Sequence, residues 1–114
     1  MTAKLIDGKQ IAAEIRSEVK AAVSARQEQG LPVPGLATVL VGDDPASKVY
    51  VRNKQKACAE VGIASFGYNL PAEASQQEVE DLVSQLNADP TINGILVQLP
   101  LPRHLNDEAV LSAI

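Results

Sequence analysis

The stretch "GLATVLVGDDPAS", residues 35–47, constrains the fold more than any other part of the chain. Its first eight residues form a short apolar run rich in β-branched side chains and closed by glycines. That is the pattern of a strand covered on both faces. Asp44 and Pro45 follow almost at once. An aspartate at a cap position accepts from the free N–H groups of the first helical turn. A proline in the next position has a suitable φ and lacks an N–H that would go unused there. A doubly buried strand that runs straight into a helix reads as half of a βαβ unit.

The rest of the chain repeats this alternation. "KLID" (4–7) reads as a short strand or an extended lead-in. Ile11, Ile15, Val19, Ala22 and Val23 recur at helical spacing, and Gly30 and Pro32 end that helix. The helix begun at Pro45 runs to about Val61 and stops at Gly62. "IASFGYNL" (63–70) alternates, putting Ala64, Phe66, Tyr68 and Leu70 on one face of a strand. Ser75 and Glu78 form a capping box ahead of the stripe Val79, Leu82, Val83 and Leu86, which closes before Pro90. "NGILVQLPLP" (93–102) is a buried strand entering a proline-rich turn, and Asn106 caps a last helix. The predicted fold is α/β, a single three-layer domain over residues 1–114. Its sheet is mainly parallel, with helices on both faces. Functional groups in such sheets gather where strand carboxyl ends meet helix starts. Two junctions qualify, Gly42–Ser47 and Gln98–Pro102.

Composition excludes several function classes. A net charge of −4 and an aromatic content of 3% disfavour a nucleic-acid surface, which needs clustered cations or stacking rings. One cysteine and one histidine cannot close a metal site. No apolar run approaches the roughly 20 residues of a membrane helix. "MTAKLIDGKQ" lacks the apolar core of a secretory signal, and Cys58 has no partner for an internal disulfide, so a cytoplasmic protein is expected. The chain closes on "AVLSAI", a helix begun without a Gly, Pro or basic last turn. A fragment whose continuation is absent is expected.

The helix after Pro45 carries an anomaly. At about 100° per residue, Ala57, Tyr50, Val61, Lys54, Ser47, Cys58 and Val51 fall within one arc of roughly 140°. Lys48, Arg52, Gln55, Lys56 and Glu60 fall outside it. Lys54 therefore lies near the centre of an apolar stripe, with Tyr50 one turn and Ser47 two turns before it. Taking an ammonium out of water disfavours its charged form, which suits a group that exchanges protons. The competing reading is a lysine that buries its stem and sends its head to water. The row starts at a strand-to-helix junction, and Tyr50 and Ser47 can both hydrogen-bond, which favours a site.

Gln98, at the carboxyl end of an apolar run, is the second anomaly, because a buried amide needs a partner. It bonds either loop backbone or, in a site, Lys54 or a substrate amide. Pro100 and Pro102 stiffen the turn, and with Leu99 and Leu101 they offer a rigid apolar wall for a flat ring. His104 reads as surface and Cys58 as core packing. Neither a P-loop nor G-x-G-x-x-G occurs.

"VGDDPAS" with "YVRNK" (50–54), together with "NADPTINGILVQLPLP" (87–102) and "IDGKQIA" (6–12), closely resembles the bifunctional methylenetetrahydrofolate dehydrogenase/cyclohydrolase family. Nearly the whole chain matches its N-terminal, folate-binding catalytic domain. The resemblance implies NADP- or NAD-dependent oxidation of methylenetetrahydrofolate to methenyltetrahydrofolate, and hydrolysis of that product to formyltetrahydrofolate. Lys54 matches the lysine that handles protons. Gln98 matches the glutamine that bonds this lysine and helps hold it neutral. Tyr50 matches the tyrosine lying against the folate rings. Ser47, Val51, Arg52, Asn53, Val97, Leu99, Pro100 and Pro102 complete the implied substrate contacts. The resemblance also implies a homodimer of the full-length enzyme, a folate as the small-molecule substrate, and a separate dinucleotide-binding domain that this chain lacks. No cofactor is expected on this chain alone, and apolar surface left open predicts self-association. Two other readings compete: a non-catalytic fragment that binds folate or a partner, and a structural domain with a solvated Lys54.

Overall fold

The computed structural model describes residues 2–114. The elements alternate as expected: α1 (Gly8–Glu28), β1 (Gly35–Val41), α2 (Pro45–Val61), β2 (Ala64–Leu70), α3 (Gln76–Ala88), β3 (Gly94–Val97) and α4 (Asp107–Ala113). The strands form one sheet in the order β2-β1-β3, and both pairings are parallel. β1 is central, with Gly35 to Val41 paired along the whole of β2 and Leu36 to Val39 paired with β3. "KLID" forms no strand. It leads in extended to Asp7, which caps α1.

The pleat divides β1 between two layers. Ala37, Val39 and Val41 join Val79, Val83 and Leu86 of α3 and Val110 of α4 in the main core. Thr38 and Leu40 point the other way, toward α2. α1 leans on α2 rather than on the sheet, and Val23 is its one buried residue. Ile11 and Ile15 of its apolar stripe remain 44% and 53% exposed. This outlying helix explains a radius of gyration of 16.8 Å, against about 13 Å for a compact chain of roughly this length.

The helix starts follow from local chemistry. Asp44 accepts from Ser47 N at 2.9 Å, Ser75 from Glu78 N at 3.1 Å and Asn106 from Ala109 N at 3.0 Å. Gly62 ends α2 at φ 88°, in the left-handed region that favours glycine. At the opposite end of the sheet from the two functional junctions, Gly35 and Asn93 form a clamp. Asn93 N donates to Gly35 O at 2.8 Å, and Gly35 N donates to Asn93 Oδ1 at 2.9 Å.

Two carboxylates link this architecture to pH. Hydrogen bonds from Ser47 hold Asp44 below its ordinary value, and bonds from Thr91 do the same for Asp89. A carboxylate depressed on folding adds stability above its unfolded value, which lies near about 3.9, and that stability is lost as pH falls through the lower folded value. The urea midpoint is therefore expected to fall on acidification below that range. Asp44→Asn, which still caps but does not titrate, should flatten the fall. An acid limb as steep as that of the parent would refute the assignment.

Candidate functional site

The sheet brings the two junctions together at its carboxyl end. At Gly42 (φ 95°) the chain turns from β1 into α2, and its N–H donates to Leu70 O at 2.9 Å. An ideal Cβ at Gly42 would lie 4.0 Å from Pro102 Cγ, so the proline-rich turn sits against the β1–α2 loop. Gln98 continues the β3 ladder by one bond, donating its backbone N–H to Val39 O at 2.9 Å.

Lys54 and Gln98, 44 residues apart, meet over this end of the sheet. Lys54 Nζ donates to Gln98 Oε1 at 2.7 Å, and Gln98 Nε2 donates to Leu99 O at 3.0 Å. Both predicted partners of the glutamine are thus real. A backbone oxygen only accepts, so Nε2 must face Leu99 O, which turns Oε1 toward Lys54. Gln98 takes one N–H of Lys54 and fixes where the remaining positions on Nζ point. Lys54 is half-buried, neither central in the core nor free in solvent.

The other predicted site residues spread around this pair. Tyr50 stands at the rim, 56% exposed, with Asn53 also exposed. Ser47 is 2% exposed and turned to Asp44, so it shores up the helix start instead of facing the opening. Val51 and Arg52 line a groove of about 420 Å³ on the β2 flank of α2, together with Lys48, Gln55 and Asn69. That groove lies across the helix from Gln98. Val97 points into the α3-side core. Leu99 and Pro100 are exposed and Pro102 is half-buried, while Leu101 turns inward and leaves the apolar wall to the other three. The Leu99–Pro100 peptide is cis.

One residue was misplaced by the helical projection. Gln55, assigned to the solvent side, is half-buried and donates Nε2 to Thr38 Oγ1 at 3.1 Å. The signal for it lay elsewhere, in Gly67. A glycine in the middle of a strand marks a close approach, and an ideal Cβ there would lie 2.7 Å from Gln55 Nε2.

Cys58 is buried, and burial pushes its thiol up, which leaves it a packing residue rather than a nucleophile. His104 is exposed, and its Nε2 lies 2.7 Å from Ala74 O. Among the described residues no group of three His, Cys, Asp or Glu is placed to hold a metal. None of their helices is long and apolar enough to cross a membrane. The β1–α2 turn does not suit a dinucleotide. Asp44 already occupies the helix start where a pyrophosphate would sit, Asp43 adds a second carboxylate, and Pro45 has no N–H to offer.

Residues 6–114 match the family model described as tetrahydrofolate dehydrogenase/cyclohydrolase, catalytic domain. The chain is 58% identical over 110 residues to the bifunctional protein FolD of Desulfovibrio desulfuricans, covering 96% of this chain and 39% of that protein. It is 59% identical over 114 residues to FolD of Moorella thermoacetica, covering 100% and 40%. The crystal structure of the bifunctional FolD enzyme from Campylobacter jejuni superposes with a TM-score of 0.93 at 43% identity, over 97% of this chain and 39% of that one. A methylenetetrahydrofolate dehydrogenase-cyclohydrolase from Trypanosoma brucei, solved with NADP and an inhibitor, superposes with a TM-score of 0.89 at 38% identity, over 100% and 39%. The chain therefore spans about two fifths of the length of these relatives.

Proposed function

The chain belongs to the tetrahydrofolate dehydrogenase/cyclohydrolase family, and on that premise we propose that it forms the folate-binding, proton-handling part of an enzyme that oxidises methylenetetrahydrofolate to methenyltetrahydrofolate and hydrolyses the latter to formyltetrahydrofolate. The observation that carries the reading is the 2.7 Å bond between Lys54 Nζ and Gln98 Oε1 at the carboxyl end of the sheet.

In the hydrolysis, water attacks the methenyl carbon and its oxygen forms the new C–O bond. Lys54 takes the proton that the attacking water sheds. The adduct then collapses: Lys54 returns its proton to one of the two nitrogens that held the carbon, and the bond to that nitrogen breaks. The formyl group stays on the other nitrogen, and the hydroxyl proton leaves to solvent. The cationic substrate and water thus yield neutral product and one proton. Gln98 contributes orientation, aiming Nζ so that a single group serves both transfers. Tyr50 at the rim offers an exposed ring against which a flat pterin can stack.

The oxidation needs a dinucleotide, and the β1–α2 turn, with Asp44 and Pro45 at its helix start, does not suit one. We assign that half of the chemistry, with NADP or NAD, to a separate dinucleotide-binding domain of the intact protein. Cytoplasmic location, homodimeric assembly and a place in purine supply belong to the same reading.

Mixing the chain with methenyltetrahydrofolate and following loss of the methenyl chromophore tests the proposal. Lys54-dependent turnover is expected, by this chain or by the intact protein. Binding without turnover in both would replace the enzyme with a folate-holding module, and absence of both binding and turnover would remove the folate reading.

A further inference from the structure

We propose that Gln55 is a positioning residue for Lys54, and that Thr38 of β1 is the point against which it is set. This rests on the proton-carrier reading of Lys54 and extends it to residues that touch no substrate. Gln55 follows Lys54 on α2, so their side chains leave the helix about 100° apart. Lys54 reaches toward the end of β3 to meet Gln98, and Gln55 descends on the other side to Thr38, beside β2. The helix straddles the central strand with one polar side chain on each flank.

Both flanks refer to the same two residues of β1. Thr38 Oγ1 accepts from Gln55 Nε2 at 3.1 Å. Its neighbour Val39 accepts from Gln98 N at 2.9 Å through its backbone oxygen. Thr38 is 1% exposed, and its register partner on β2 is Gly67. Gly67 carries no side chain where a Cβ would meet Gln55 Nε2, so the amide has room to reach the strand. One segment of β1 thus sets the height and rotation of α2 on one side and the position of Gln98 on the other. The other buried residues of α2 are Ser47, held at the helix start by Asp44, and Val51, Cys58 and Val61, whose apolar contacts are non-directional. A directional bond resists rotation of the helix in a way these groups do not.

The test uses Gln55→Leu, Thr38→Val and their double variant in the intact protein, with Thr38→Ser, which keeps the hydroxyl, as the conservative control. Each single variant is expected to lower kcat for methenyl hydrolysis about tenfold, a modest fraction of the effect of ångström-scale misplacement, while KM moves less than about twofold. The double variant should be no worse than either single one, because both remove the same bond. Thr38→Ser should restore the parent rate. In parallel, the side-chain NMR resonances of Lys54 should move in Gln55→Leu and Thr38→Val but not in Thr38→Ser. Unchanged kcat with unmoved Lys54 resonances in both single variants would overturn the proposal, as would additive losses. Should Gln55→Leu fail to fold, the Thr38 pair decides alone. Absence of hydrolysis in the parent would count against the proposed function, and the Lys54 resonances would still decide whether Gln55 positions it.

Discussion

Lys54→Ala in the intact protein is expected to lower methenyltetrahydrofolate hydrolysis by about 10³-fold, within the range that a positioned general acid–base group supplies. Folate binding should change far less, because the exposed Tyr50 and the turn at Leu99 and Pro100 remain. Folding should also be little affected. Lys54 and Gln98 are both half-buried, so the change empties no part of the apolar core. Lys54→Arg separates charge from proton transfer. A guanidinium keeps the positive charge but does not give up a proton near neutral pH, so this variant should be as inactive as the alanine one. Gln98→Ala should cost less than either, because it removes the orientation of Nζ and leaves the amine. It should also change the pH dependence of hydrolysis. Near-normal hydrolysis by Lys54→Ala would remove the proton-carrier role, and an active Lys54→Arg would show that charge alone suffices.

Gly35→Ala is expected to destabilise the domain by about 3 kcal/mol, the upper end of overpacking costs. For a domain of this size that corresponds to a fall of roughly 15 °C in Tm. An added Cβ at Gly35 runs into the backbone oxygen of Thr91 and presses on Phe66 Cε2 at 3.2 Å. A carbonyl cannot rotate aside as a side chain can, so the loop at Thr91 must move. Moving it breaks the two bonds that tie Asn93 to Gly35. Two controls bracket the effect. At Gly94 the added methyl would meet only Leu36 Cδ1 at 3.2 Å, the end of a flexible side chain, and a smaller loss is expected. At Gly8, with nothing within 4 Å, the change should be close to neutral. Melting of Gly35→Ala within a couple of degrees of the parent would show that the clamp yields freely.

These two residues differ in how far the chain alone reveals them. Lys54 was legible because a charge on an apolar helical stripe violates a local rule, and helical spacing is a property of the sequence. Gln98 was legible for the same reason, as an amide closing an apolar run. The helix starts at Asp44, Ser75 and Asn106 were equally plain, since a cap needs only an acceptor within three residues. Gly35 could be seen only as the edge of a strand. The atom it must avoid lies on the loop before β3, 56 residues away, and no local pattern encodes that approach. Gln55 went astray for a related reason. A helical projection treats the buried side as a smooth arc, whereas α2 sits on a pleated strand with a glycine beside it, and this opens a polar path down one flank.

The sequence by itself determined the order and type of the elements, the parallel sheet, the junctions where chemistry could occur, and the two polar residues out of place among apolar ones. Periodicity, capping and punctuation by Gly and Pro are short-range effects and need no knowledge of what packs where. The tertiary structure alone decided that Lys54 and Gln98 touch, that Ser47 turns inward while Tyr50 turns out, and that Val51 and Arg52 face a different groove. It also decided that Thr38 bonds Gln55 while its neighbour Val39 bonds Gln98. Each of these depends on the register of β1 with its neighbours and on the height at which α2 rests on it, quantities that arise only when segments distant in the chain pack together.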